Sequence, residues 1–201
     1  MKICKMELKK ITVVCAFILS GHLLMAQEIA FNKIEPAKIA IDTGVFAGYA
    51  RHELASFYLL IGSGENNLKF NIVGKSSNSV SFSYDNSFSD AQTLVPAVFV
   101  NKADETEILL MIEIAAETSW GQELLYIQGE AVNYIGFLEY AVALEDDSSI
   151  AGHCRVFKKG KKIVIAMDPV PIIDYTSGER LVNGDNLKIE INTAKMKMKV
   201  K

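Results

Sequence analysis

The chain of 201 residues is half hydrophobic and carries 24 acidic against 21 basic residues, a formal net charge of −3. That length suits one domain with a real core. The acidic balance argues against nucleic acid as a partner, and three cysteines in all argue against a disulfide-stapled scaffold.

The first 26 residues read as a secretory leader. Lys2, Lys5, Lys9 and Lys10 precede an apolar stretch from Ile11 to Met25, and Ala26 before Gln27 offers a small residue for cleavage. The stretch is short for a membrane span of about 20 residues. Cys15 lies inside it without the small residue that precedes a lipidated cysteine. The expectation is an exported protein, periplasmic or extracellular, whose residues 27–201 form a single β-rich domain with no later transmembrane segment. Cys154 is then its only cysteine. Charge is uneven in that part: residues 27–150 hold 6 basic and 18 acidic side chains, residues 151–201 hold 11 and 5. Opposite poles of this kind either pack together in one domain or meet between molecules, head to tail.

In chain order, Ala37 to Ile41 reads as a short strand. Gly44 to Ile61 changes period: Phe46, Tyr49, Leu54, Phe57 and Leu60 recur every three to five residues, with Thr43 to cap the start and Gly62 to end it, which predicts one amphipathic helix. Leu68 to Val73 and Val80 to Tyr84 alternate around a polar turn and predict a hairpin. Thr93 to Val100 is a further strand, bent or held at an edge by Pro96.

Glu107 to Leu144 is the densest apolar block and the expected hydrophobic centre. Period two puts Ile108, Leu110, Ile112 and Ile114 on one face and Glu107 and Glu113 on the other; period 3.6 also fits through Trp120, Leu124, Ile127 and Ala131. Strands are the preferred reading because Gly121, Gly129 and Gly136 interrupt any long helix. A helical hairpin on an antiparallel sheet is the alternative.

Further on, Cys154 to Phe157 and Lys162 to Met167 flank a glycine turn, and Asn183-Gly184 predicts a hairpin between Arg180–Val182 and Leu187–Ile191. Lys195 to Lys201 alternates lysine with Met196, Met198 and Val200, out of phase with Ile189 and Ile191, so a bulge or turn at 192–194 must reset the face. The fold class that follows is mainly β: an antiparallel sandwich or open barrel with one helix.

Reactive groups are sparse. His153 and Cys154 are neighbours on a strand and point to opposite faces, although His52 could reach Cys154 through space. No two His or Cys residues have metal-ligand spacing, and Glu145-Asp146-Asp147 lacks the alternation of a calcium loop. Glu113 and Glu139 sit within apolar runs where burial raises a carboxyl pKa. No catalytic residue, metal or cofactor is expected.

Binding candidates are Trp120, Tyr126, Tyr134 and Tyr140, which could line an apolar or carbohydrate pocket, and the basic strand of Lys195, Lys197, Lys199 and Lys201. That strand reads as a lysine-guarded edge, as a contact for an anionic surface, or as a strand added to a second subunit. A non-enzymatic module binding an unknown protein or surface partner is the leading expectation, ahead of a small-ligand binder with a cavity beneath the Gly44–Ile61 element and of a carboxylate-dependent hydrolase.

Overall fold

The structure, a computed structural model, describes residues 28–41, 46, 48–62, 68–85, 90–144, 149–176 and 178–201. The expected leader lies outside the described residues. Seventeen strands make up the described chain: β1 (Ile29–Ile34), β2 (Lys38–Ala40), β3 (Tyr49–Glu53), β4 (Phe57–Gly62), β5 (Lys69–Gly74), β6 (Val80–Asp85), β7 (Thr93–Asn101), β8 (Asp104–Ala115), β9 (Ser119–Gln128), β10 (Ala131–Leu138), β11 (Tyr140–Val142), β12 (Cys154–Lys159), β13 (Lys162–Met167), β14 (Pro171–Asp174), β15 (Arg180–Asn183), β16 (Lys188–Asn192) and β17 (Lys197–Val200). Single 3-10 turns at Ile150–Gly152 and Gly184–Asn186 are the helical elements among the described residues, and none is long and apolar enough to cross a membrane.

Nine strands form one sheet in the order β10-β9-β8-β7-β1-β12-β13-β16-β17. It curls until it is nearly closed, so that the Met198 methyl of β17 lies 3.9 Å from where a Cβ on Gly136 of β10 would stand. A second sheet, β2-β3-β4-β5-β6, covers the outer side of β7, β8 and β9; a third, β11-β14-β15, packs Tyr140, Val142 and Ile172 onto the barrel's interior core.

The central block owes its apolar density to this layering. Leu109, Met111, Leu124 and Tyr126 point into the barrel, while Ile108, Leu110, Ile112, Leu125 and Ile127 point outward into the layer under the five-stranded sheet, against Phe57, Leu59, Phe70 and Ile72. Alternate side chains of a strand face opposite ways, so a strand buried on both sides carries apolar residues at every position. The helical-hairpin alternative is therefore excluded. From Glu107 to Ile114 neither face of β8 is wet: Glu107 and Glu113 are buried as well.

Two further expectations are corrected. The stretch read as a helix is the β3–β4 hairpin, folded at Leu54–Ser56, with residues 42–45 and 47 outside the described set. The helical spacing passed over Leu59, which is fully buried: Phe57, Leu59 and Ile61 alternate, and an aromatic and branched run of this kind suits a pleated surface. Asn183-Gly184 does not join β15 to β16 as a hairpin. β15 pairs with β14 instead, and the dipeptide opens a 3-10 turn in which the Asn183 side chain accepts from the Asp185 amide. Gly184 is required for closeness, since a Cβ there would lie 2.2 Å from the Asp168 carbonyl oxygen. The other late hairpin forms as read, with Gly160 at φ +60 between β12 and β13. The reset near the terminus is a turn at Thr193–Met196, held by the Asn192 side chain accepting from the Ala194 and Lys195 amides.

Candidate binding cleft and basic face

The cleft arises where two sheets part company. β1 and β7 run antiparallel from Phe31↔Asn101 to Ile34↔Val98. Continuing that register would set Pro36 against Pro96, and neither has an N–H to give. The ladder stops, Glu35–Ala37 crosses to the other sheet, and the chain resumes as β2 on its edge. Among the described residues, the first half of β7 thus has no strand neighbour on that side. Pro96 does mark an edge, though only a local one within a central strand.

The Glu53 amide donates to Ala37 O and the Ile41 amide to Tyr49 O, so odd residues of β2 address β3 and the main-chain groups of Lys38 and Ala40 point away from it. On β7 the Lys102 amide donates to Ala30 O, so even positions address β1, and where β1 has left, Leu94 presents both its N–H and its C=O to the opening. Between these edges lies a solvent-open cavity of about 720 Å³. Lys38, His52 and Leu59 share one face across β2, β3 and β4, as do Ala40, Ala50 and Ile61. Ile61, Leu94 and Pro96 supply apolar lining; Glu35, Lys38 and His52 supply polar groups. Burial, then the neighbouring Lys38 ammonium, hold the His52 imidazole below its ordinary pKa, with Glu35 opposing. His52 is therefore neutral at pH 7, able to donate from one ring nitrogen and accept at the other.

Of the titratable residues singled out in the sequence, His52 lines this cavity; Glu113, Glu139 and His153 are not among its lining. Glu113 faces the barrel interior in register with Gln122, and Glu139 is exposed between β10 and β11. Burial pushes the Cys154 thiol up to about 12, so it carries almost no thiolate near neutrality. Among the described residues no three His, Cys, Asp or Glu side chains group so as to hold a metal.

The four aromatic candidates are divided between the two sides of the wall. Tyr126 and Tyr140 are buried in the barrel core. Trp120 packs against the layer under the five-stranded sheet, and Tyr134, 44% exposed, stands at its margin. Tyr126 and Tyr134 serve buried carboxylates. Tyr126 Oη donates to Glu107 Oε1 at 2.7 Å, beside Lys158 Nζ at 2.6 Å, and Asn101 Nδ2 donates to Oε2. Tyr134 Oη and Tyr84 Oη donate to the two oxygens of Glu123 at 2.7 and 2.5 Å. Burial, followed by these bonds, raises all three tyrosine pKa values.

Neither the cleft nor the aromatic groups carry a recognisable signature. Comparison of the chain with protein-family models, characterised proteins and solved structures finds no match.

The terminal lysines belong to a larger surface. β17 is the edge strand beside β16, with Met198 and Val200 facing inward opposite Ile191 and Ile189. The outward positions of β12, β13, β16 and β17 fall into three cross-strand rows: Arg155, Ala166, Lys188, Lys201; Phe157, Val164, Glu190, Lys199; and Lys159, Lys162, Asn192, Lys197. Lys195 stands in the adjoining turn. The seven cations in these rows are exposed, and the one carboxylate at the centre, Glu190, pairs with Lys201 at 2.8 Å, Lys162 at 3.1 Å and Lys188 at 3.6 Å. Those contacts hold its carboxyl down at about 2. Sequence reading found the lysines of β17 and missed Arg155, Lys159, Lys162 and Lys188, whose alternate spacing within their own strands was the available signal. It also missed Lys38, Ala40 and Leu94, which contribute main-chain groups that composition does not reveal.

Proposed function

We propose that the protein is an exported, non-enzymatic binding module that holds an extended polypeptide segment of a partner in the cleft between its two sheets. The observation that carries this reading is the pair of strand edges, β2 and the first half of β7, which have no strand neighbour among the described residues on either side of one cavity. Outward-facing amides and carbonyls with no strand partner among the described residues, in a groove with an apolar floor, suit a segment that docks by main-chain hydrogen bonds and drops alternate side chains between Ile61 and Leu94. Export rests on the leader sequence. The absence of an enzymatic role is supported by the protonated thiol of Cys154 and by the separation of His52 from Glu113, Glu139 and His153.

Selection of a displayed random-peptide library on the purified protein tests the proposal. Peptides should be recovered that bind the intact protein and lose at least about tenfold in affinity to Ala40→Pro, the cost of a lost hydrogen bond of about 1.4 kcal/mol. That substitution deletes one outward N–H, a place where an edge strand tolerates proline. Lys75→Ala, a charge removed outside the cleft lining, should bind as before. Recovery of no peptide, or of peptides indifferent to Ala40→Pro in a variant with an unchanged circular dichroism spectrum, refutes the reading. The cavity volume also falls within the ~300–1,000 Å³ of small-ligand sites, and an apolar fluorescent probe displaced by no selected peptide would favour that second use.

A further inference from the structure

We infer that the outer face of β12, β13, β16 and β17 docks onto an anionic lipid headgroup plane. Three rows of four outward positions bring together Arg155, Lys159, Lys162, Lys188, Lys197, Lys199 and Lys201, all exposed, with Glu190 as the one carboxylate within the rows and Glu28 pairing with Lys159 at 3.4 Å from their margin. At about 4.8 Å between strands and about 6.7 Å between successive residues on one face, the grid measures roughly 14 Å on a side. The rest of the chain is acidic enough to leave a net charge of −3. An anionic plane would therefore repel the remainder and attract this face, which fixes an orientation as well as an affinity.

The composition of the face selects a plane over a shaped anionic ligand. Six of its seven cations are lysines, flexible point charges without the planar fork by which arginine grips a single phosphate or carboxylate. None of the seven lines the cleft between the sheets, and the four strands that carry them form one continuous face. Glu190 does not cancel the patch. Its position amid Lys162, Lys188 and Lys201 holds three cations at fixed places against their mutual repulsion. Met198 and Val200 are partly buried against the barrel core on the opposite side of the strand, so attachment needs no unfolding of the edge strand.

Co-sedimentation with phosphatidylcholine vesicles, with and without phosphatidylglycerol, tests this directly. The protein should partition onto the phosphatidylglycerol vesicles at low salt, leave them at high salt, and ignore pure phosphatidylcholine. A neutralised lysine close to the surface weakens partitioning about fivefold, so Lys197→Gln with Lys199→Gln should cost about twenty-fivefold. Lys75→Gln with Lys102→Gln makes the same change in net charge away from the face and should cost nothing. Equal loss in both pairs reduces the effect to overall charge and overturns the inference. So does equal binding to phosphatidylcholine, or tight binding to soluble heparin with no partition onto vesicles, which assigns the face to a free polyanion.

Discussion

The two halves of the nine-stranded sheet are built to opposite specifications. β7, β8 and β9 are walls between two cores: Leu109 and Met111 of β8 face the barrel interior while Leu110 and Ile112 face the covering sheet. β12, β13, β16 and β17 enclose the same interior with Val156, Ile163, Ile165, Ile189 and Ile191, but their outer side is a lattice of exposed cations. One half has a layer laid over it, and the other is left bare and charged. The first half should therefore lose more stability when a side chain is truncated, and the second keeps its outer side chains exposed.

The most forceful way to test that division is to cut the same kind of hole in each half. Leu110→Ala, in a stretch of β8 with no exposed side, should cost about 3 kcal/mol, the scale of a core leucine truncation. Lys199→Ala, on the bare side, should stay within about 0.5 kcal/mol. Urea denaturation of both variants gives the comparison, and similar midpoints would mean that the covering sheet contributes nothing to the wall beneath it.

A smaller effect is expected where the halves meet. Glu107 of β8 and Lys158 of β12 reach across the interior to a 2.6 Å ion pair, the Glu107 side chain almost fully buried and that of Lys158 about a quarter exposed. Glu107→Ala strands a lysine and the Tyr126 and Asn101 donors, and should cost about 2 kcal/mol, less than a wholly buried pair because Lys158 retains some water. Lys158→Met in the same chain should restore part of the loss. If the double variant is as unstable as the sum of the two single ones, the residues are not coupled through this contact.

How far the sequence revealed these halves follows from their construction. The bare half was the more readable: Lys195–Lys201 alternates strictly because one side is wet, and Gly160 marks the turn between Cys154–Lys159 and Lys162–Met167. In the walled half the preference for strands over helices rested on Gly121, Gly129 and Gly136 and proved right, but the second buried side of β8 went unread. Glu107 and Glu113 look outward in a sequence, and only the partners supplied by Lys158, Tyr126 and Asn101 explain how Glu107 is buried. The β3–β4 hairpin was missed because a helical spacing could be threaded through Phe46, Leu54 and Leu60 by omitting Leu59. The cleft was hidden more deeply still. Pro36 and Pro96 each signal an interruption, yet their opposition depends on a register that forms between segments sixty residues apart, and the groups they leave open are backbone.

Within the shared interior, Gln122 offers a gain instead of a loss. It is fully buried in β9, and neither atom of its amide has a hydrogen-bonding partner among the described residues. Replacing an unpaired buried amide by an apolar side chain of similar size removes a desolvation cost, so Gln122→Leu should raise stability by about 1 kcal/mol. A destabilised variant would show that the amide is paired in solution and that this end of the barrel is wetter than the other.

The smallest effect belongs to the bare face and is read by pH. Bonds from Lys201 and then Lys162 hold the Glu190 carboxyl at about 2, below its ordinary 4.5. A group depressed in the folded state stabilises it fully above the unfolded value and loses that contribution as pH falls through the folded one. The contribution of Glu190 should therefore be complete above about pH 4.5 and fade toward pH 2. The lysine partners of Glu190 are exposed, so the change in melting temperature will be slight. The comparison with Glu190→Gln makes it visible: the two melting curves should differ above pH 4.5 and merge on approaching pH 2. A constant gap across that range would mean that the glutamate acts through its shape and not its charge, and the seven cations would then hold their places without the carboxylate at their centre.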